Sequence, residues 1–211
     1  MQGVAQCLQG AWEQCLLTAE QTLEIAQHVG APYMRSMGCV FEGMARFHRG
    51  ERAAGLALIA HSAEELEEAQ TRLALSLVYA QHAELLVEDL QWEAARTQAE
   101  GALARAVEED PLGEVAAHRV LASIAARGPA LDWAGAQQHL EKARELAERR
   151  RSPRDVALNE LCHAECLAAQ SDAQGAVELA RWAAGALRAL PLDHYADRAE
   201  RLVATLERAG R

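Results

Sequence analysis

A short turn-like stretch followed by an amphipathic helical pattern recurs along this chain. Its clearest copy is Leu90–Ala95 (LQWEAA), after which apolar and polar positions follow helical spacing to about Glu109. Copies begin about 40 residues apart, an interval typical of helical repeats. The five anchor positions are Trp12, Arg52, Trp92, Trp133 and Ala173. The pattern therefore predicts a repeat protein.

Small residues occupy fixed places relative to these anchors. Three positions after them stand Cys15, Gly55, Ala95, Ala136 and Ala176, and ten positions after them stand Thr22, Ser62, Ala102, Ala143 and Ala183. Nine positions before them stand Gly3, Gly43, Ala83, Ser123 and Ala164, if the fourth repeat carries one extra residue in the loop 127–130. Small residues let two helices approach closely. Two helices per repeat is the tetratricopeptide (TPR) pattern, here longer than its usual period of about 34 residues.

The predicted fold is all-α: a right-handed α-solenoid of stacked antiparallel helix pairs, with about five repeats and a C-terminal capping helix. Second helices are predicted over about 12–29, 51–69, 92–109, 132–150 and 173–190, and first helices over about 32–48, 71–88, 112–127 and 153–170. The repeats cover 1–30 (a partial first repeat), 31–70, 71–110, 111–151 and 152–191, and the capping helix covers 192–211. Because 68–72 contains no Gly or Pro, a helix could continue across it.

Residues typical of helix starts and helix ends support these limits. Pro32 suits a first helical turn, and Asp110-Pro111 breaks the chain between repeats. The stretch Ser152–Asp155 offers an N-cap serine, a proline and an acid in the first turn. Asp193 caps the last helix, which Gly210 ends. Since only about 4–9 remains of the first helix, we expect the chain to be part of a longer protein.

Composition and charge exclude several classes of function. The net charge of −10 disfavours direct binding to nucleic acid, whose phosphates repel an acidic protein. No apolar run is long enough to cross a membrane. Five cysteines, an odd number, fit free thiols in a reducing cytoplasm.

Three stretches resemble the C-terminal TPR regions of bacterial signalling proteins that contain an adenylate or guanylate cyclase domain, and of LuxR-type transcription activators. They are Val40–Gly55, Gly113–Ala122 and Ala136–Arg149. The resemblance implies a region that senses or scaffolds while other domains do the chemistry. The chain has no phosphate-binding loop of the GxxxxGK[ST] type, so the resemblance does not imply cyclase or ATPase activity for this chain. We expect no enzyme activity and no cofactor.

Three polar clusters have both a chemical and a structural interpretation. Cys162 and Cys166 share a helix face and, with His118 or His194, could approach a zinc site, but Cys166 occupies a small packing position. We therefore expect packing rather than a metal. His82 and His163 occupy equivalent repeat positions and lack the pattern of a catalytic dyad. The run 149–151 with Arg154 complements a helix end, or alternatively contacts a phosphate or an acidic partner.

The first helices are expected to line a concave surface that binds a partner. Counting eight, six and five positions before the anchors selects Met44, Arg46, Phe47, Glu84, Leu86, Val87, Glu165 and Leu167. The sequence thus predicts a non-enzymatic protein-interaction or scaffolding module, which binds a protein, a peptide or an upstream domain of a longer chain. The alternative is a small-molecule sensor that gates an attached cyclase, ATPase or DNA-binding domain.

Overall fold

The computed structural model describes residues 2–106 and 111–209, and within them it contains eleven α-helices and no β-strand. The helices are α1 (Gln2–Gln9), α2 (Trp12–Val29), α3 (Pro32–His48), α4 (Arg52–Glu68), α5 (Leu75–Glu88), α6 (Trp92–Arg105), α7 (Glu114–Arg127), α8 (Trp133–Arg149), α9 (Pro153–Ala169), α10 (Ala173–Ala189) and α11 (Asp193–Ala209). The prediction of an all-α chain is confirmed for this part of the sequence.

Most helix limits lie within one or two residues of the predicted ones. The two largest differences are the start of α5, at Leu75 rather than near residue 71, and the end of α6, at Arg105 rather than near residue 109. No helix crosses 69–74, because α4 ends at Glu68, and Gln70 and Ala74 have positive φ values of 51° and 61°. The predicted break at Asp110 and the predicted stop at Gly210 lie outside the described residues.

Side-chain caps fix where the helices of the second half begin. The Oγ of Ser152 accepts a hydrogen bond from the backbone N–H of Asp155 at 3.3 Å, and Pro153 follows as the first helical residue. Asp132 and Asp172 cap α8 and α10 in the same way, each accepting from the glycine three residues later, at 2.9 and 3.0 Å. Each bond satisfies a backbone donor that the first helical turn leaves without a partner.

The small-residue rows lie where neighbouring helices meet. All five residues three positions after the anchors are buried, as are all five that stand nine positions before them. In the row ten positions after, four are buried and Thr22 is half-buried. Two backbones come close where Gly43 of α3 faces Gly55 of α4, because a Cβ added to Gly55 would fall within 2.8 Å of the backbone nitrogen of Phe47. Small side chains therefore permit helix packing at these places, as predicted.

The chain forms two compact units, residues 1–117 and 118–211. In the first unit each of the helices α1 to α5 packs on its successor, through connections of two to six residues. The first helices of successive pairs also touch, α1 with α3 and α3 with α5. In the second unit α8, α9, α10 and α11 pack in succession, and α9 also contacts α11.

Candidate partner-binding surfaces

Half of the predicted partner-binding residues lie in the core of the first unit. Met44, Phe47, Leu86 and Val87 are only 7%, 1%, 4% and 4% exposed and offer a partner little surface. Met44 and Phe47 are three residues apart and therefore share one face of α3, and that face packs into the core.

The other four predicted residues, Arg46, Glu84, Glu165 and Leu167, are partly exposed. Arg46 donates hydrogen bonds to Glu42 and Glu51 at 2.8 and 2.9 Å.

Glu165 links three helices of the second unit. It accepts hydrogen bonds from Arg127 of α7 at 3.2 Å and from Arg198 of α11 at 2.8 Å. Its charge is therefore engaged within the protein, which gives Glu165 a structural role.

The structure contains two grooves at equivalent repeat positions, one in each unit. Groove 1, of about 720 Å³, is lined by Leu23, Ala26, Gln27, Gly30, Ala31, Pro32, Arg35, Glu65, Glu68 and Ala69. Groove 2, of about 480 Å³, is lined by Ala147, Glu148, Arg151, Ser152, Pro153, Val156, Trp182, Ala186 and Leu190. Eight residues of groove 2 stand 121 positions after a lining residue of groove 1, as Ala147 does after Ala26. The repeat thus builds the same groove twice, where a second helix ends and the next first helix begins.

The two grooves differ in chemistry. In groove 1, Arg35 and Glu65 form an ion pair, with a 3.2 Å hydrogen bond from the Nε of Arg35. Val156 and Ala186 replace this pair in groove 2. Groove 2 also holds Trp182, whose side chain is 51% exposed. Groove 2 therefore presents an apolar surface that includes a large aromatic ring open to solvent.

Along the chain, basic residues adjoin the residues that line groove 2. Arg149 and Arg150 stand between the lining residues Glu148 and Arg151, and Arg154 follows the lining residue Pro153. Arg149, Arg151 and Arg154 are exposed and Arg150 is half-buried. In a chain with a net charge of −10, this segment is a local concentration of positive charge beside an apolar groove.

The backbone of Arg151 is in the left-handed region, with φ of 49°. Its counterpart in groove 1 is Gly30, with φ of 63°. Glycine adopts this conformation without a steric penalty, whereas a residue with a side chain loses roughly 1–2 kcal/mol there. The arginine thus occupies a position where the fold itself favours glycine.

A third groove, of about 500 Å³, lies between α8 and α9. Its lining includes Trp133, Arg144, His163 and the predicted site residue Leu167. At its edge, Glu160 accepts a 3.1 Å hydrogen bond from Arg144 and approaches the ring of His163. The contacts with His163, which outweigh the effect of burial, lower the pKa of Glu160.

The cysteines of α9 are packing residues. Cys162 and Cys166 are 6% and 5% exposed, and both belong to an apolar cluster with Ala122, Leu140 and neighbouring alanines, against which Trp133 packs. The Sγ of Cys162 donates to the backbone oxygen of Arg119 at 3.4 Å. Within the part of the chain that the structure describes, no three His, Cys, Asp or Glu residues are placed to hold a metal ion.

The histidines named with these cysteines have other neighbours. The Nδ1 atoms of His118 and His139 are 3.0 Å apart, and the His194 ring lies beside that of Tyr195. Burial, the neighbouring His139 and Lys142 lower the pKa of His118 to about 4.

Of the two histidines at equivalent repeat positions, His82 is buried. Its burial lowers its pKa.

The second unit contains a buried ion pair that the sequence did not predict. Arg119 of α7 and Asp155 of α9 are each 8% exposed, and their charged atoms are 3.5 Å apart. Burial alone would raise the pKa of Asp155, but Arg119 and Arg154 outweigh it and hold the pKa below its usual range. Asn159 accepts a 3.4 Å hydrogen bond from the same arginine. The pair thus fixes α7 against α9.

Comparison with other proteins adds no functional assignment. No helix among residues 2–106 and 111–209 is long and apolar enough to cross a membrane. No protein-family model, curated protein or solved structure matches the chain.

Proposed function

We propose that this chain is a non-enzymatic protein-interaction module and that groove 2 binds an acidic, amphipathic segment of a partner protein. The observation that carries the proposal is the apolar groove itself, with Trp182 exposed in its wall and four arginines in and beside it.

We propose that the fold of the chain is a TPR-like scaffold. The buried small-residue rows and the contacts between successive first helices support it. A right-handed superhelix of about five repeats, closed by α11, is the form that we propose for the scaffold. Its role as a regulatory region of a larger bacterial signalling protein rests on the resemblance of Val40–Gly55, Gly113–Ala122 and Ala136–Arg149 alone.

The chemistry of groove 2 defines the partner. Aromatic residues and arginines contribute most of the energy at protein interfaces, and the lining of groove 2 includes both Trp182 and Arg151. Apolar side chains of the partner would cover Trp182, Val156 and Leu190. Its carboxylates would face the arginines, which speeds association and selects against basic partners. Groove 1 lacks this combination because no aromatic residue lines it and its arginine, Arg35, is paired with Glu65.

Fluorescence anisotropy of a labelled peptide tests the proposal. The peptide carries Leu and Phe flanked by Asp and Glu, and two matched peptides replace either the acids by Lys or the apolar residues by Ser. We expect only the first peptide to bind, with an affinity that falls as salt is added.

Two variants locate the site. Trp182→Ala should weaken binding at least about 30-fold, as expected for an interface residue that contributes about 2 kcal/mol. Leu17→Ala, which truncates a similarly exposed residue of the first unit, should leave binding unchanged. Equal binding of the basic peptide, or an unchanged affinity in Trp182→Ala, would contradict the proposal.

A second candidate function is small-molecule sensing, which the third groove favours. Trp133 offers an aromatic wall there, and Arg144 and His163 offer polar contacts. A metabolite library screened by thermal shift tests this function. A ligand of the third groove should raise the unfolding temperature of the wild type but not of Trp133→Ala, whereas the absence of any shift would exclude this candidate.

A further inference from the structure

We infer that Cys7 and Cys15 form a disulfide-forming site that links α1 to α2 when a peroxide oxidises the protein. Their sulfur atoms are 3.0 Å apart, about 1 Å more than the length of a disulfide bond. Both are free thiols in this structure. The two helices are joined by a two-residue connection that contains Gly10, with φ of 73°.

Neighbouring residues hold the two sulfur atoms close to each other. Cys7 is 4% exposed and Cys15 is fully buried. The Sγ of Cys15 also lies 3.4 Å from the backbone oxygen of Phe41, which fixes it from the side of α3. On α1, Gly3 packs so closely on the ring of Phe41 that an added Cβ would fall within 2.5 Å of it. Closing the bond therefore requires the two sulfur atoms to approach by only about 1 Å.

The two thiols differ in acidity. A hydrogen bond from Cys7 outweighs the effect of burial and lowers the pKa of Cys15. The same contact, together with burial, raises the pKa of Cys7. Because the thiolate is the reactive form of cysteine, Cys15 is the first nucleophile. Peroxide reaches it when the eight-residue helix α1 moves away from α2.

The chemistry balances with hydrogen peroxide as the oxidant. The Cys15 thiolate attacks one peroxide oxygen, the O–O bond breaks, and the departing hydroxide takes up a proton to become water. This step leaves a sulfenic acid on Cys15. The sulfur of Cys7 then attacks the sulfur of Cys15, the S–O bond breaks, and the hydroxyl leaves with the thiol proton as a second water. Two thiols are oxidised to one disulfide and one peroxide is reduced to two waters.

Cys39 serves as the internal control. Cys39 of α3 is half-buried, and Cys162 and Cys166 are in the second unit, where they pack against α7. No Lys or Arg occurs before Arg35, so trypsin leaves Cys7 and Cys15 in one peptide. Cleavage after Glu13 then separates the two cysteines unless a disulfide joins them.

The experiment treats the folded full chain with hydrogen peroxide, alkylates the remaining thiols and maps the peptides by mass spectrometry. We expect the peptide with Cys7 and Cys15 to lose two hydrogens, to resist alkylation and to stay joined after cleavage at Glu13. Reduction should restore alkylation at both cysteines. Cys39 should remain alkylated at the same level as in the untreated protein.

Variants make the result specific. In Cys15→Ala, Cys7 should remain alkylatable after peroxide, whereas Cys39→Ala should form the bond as the wild type does. Circular dichroism confirms that each variant is helical before treatment. The inference is overturned if Cys7 and Cys15 both stay alkylatable in the treated wild type, if either is overoxidised without a link, or if the bond forms only after denaturation.

Discussion

Two glycine-to-alanine substitutions should change stability in opposite directions. Gly55 of α4 faces α3, and a Cβ there would meet the backbone oxygen of Gly43 and the backbone nitrogen of Phe47. Gly185 is an exposed residue of α10, and a Cβ there would have no atom within 4 Å. Both are helical glycines, so the intrinsic gain from alanine is of similar size, roughly 1 kcal/mol.

The magnitudes follow from these surroundings. Gly185→Ala should stabilise the protein by about 1 kcal/mol, because only the helix propensity changes. Gly55→Ala forces two backbones apart, and overpacking of this kind costs typically about 1–3 kcal/mol and sometimes more. Because backbone atoms cannot rotate away, we expect the upper end of that range and a net destabilisation of about 2 kcal/mol after the helix gain.

Thermal unfolding followed by circular dichroism measures both changes. At about 2–4 °C per kcal/mol for a chain of this size, Gly55→Ala should lower Tm by roughly 4–8 °C and Gly185→Ala should raise it by roughly 2–4 °C. Urea unfolding of the same variants gives the free energies directly. If Gly55→Ala were as stable as the wild type, the small-residue rows would not be required for helix packing and the explanation of the repeat would be wrong.

Three further variants test the second unit. Arg151→Gly should stabilise the chain by about 0.5–1 kcal/mol in urea unfolding, because it removes a side chain from a left-handed backbone position. The same change should weaken binding of the acidic peptide about threefold. A loss of stability would contradict the backbone argument. Arg119→Met should cost about 3 kcal/mol in the same assay, the lower end for breaking a buried pair, because Asp155 keeps Arg154 and Ser152 as partners. Adding Asp155→Asn should recover part of the loss. A neutral Arg119→Met would show that the pair is not buried as described. The folded-state pKa of His118, about 4, lies below its ordinary 6.5, so the unfolded chain binds a proton that the folded chain does not, and stability should fall as pH drops from 6.5 to 4. His118→Asn should flatten this part of the pH profile, and an unchanged slope would refute the assignment.

The features that repeat along the chain were predictable from the sequence. Rows such as Cys15 and Gly55 recur at fixed offsets, and each recurrence strengthens the prediction of a buried contact. The start of α5 was not predictable, because Ala74 adopts a left-handed conformation that its residue type does not indicate. Of the predicted partner-binding residues, Met44 and Phe47 lie in the core, because they stand three residues apart on the face of α3 that packs inward.

Groove 2 and the buried ion pair depend on contacts between distant parts of the chain. Val156 and Trp182 look like ordinary helical residues in the sequence, and only packing brings them into one groove. The basic run at 149–151 was visible, but its apolar neighbour was not. Arg119 and Asp155 each fit an exposed helix face by residue type, and the sequence contains no signal that joins them across two helices.

The indole N–H signals of the four tryptophans provide the sharpest test of the binding site. Two-dimensional ¹⁵N spectra are recorded while the acidic peptide is added, and Trp→Phe variants assign each signal. If groove 2 is the site, the Trp182 signal shifts with peptide concentration while those of Trp12 and Trp92 stay in place. A shift of Trp12 or Trp133 with Trp182 unchanged would place the site elsewhere and contradict the proposed function of groove 2.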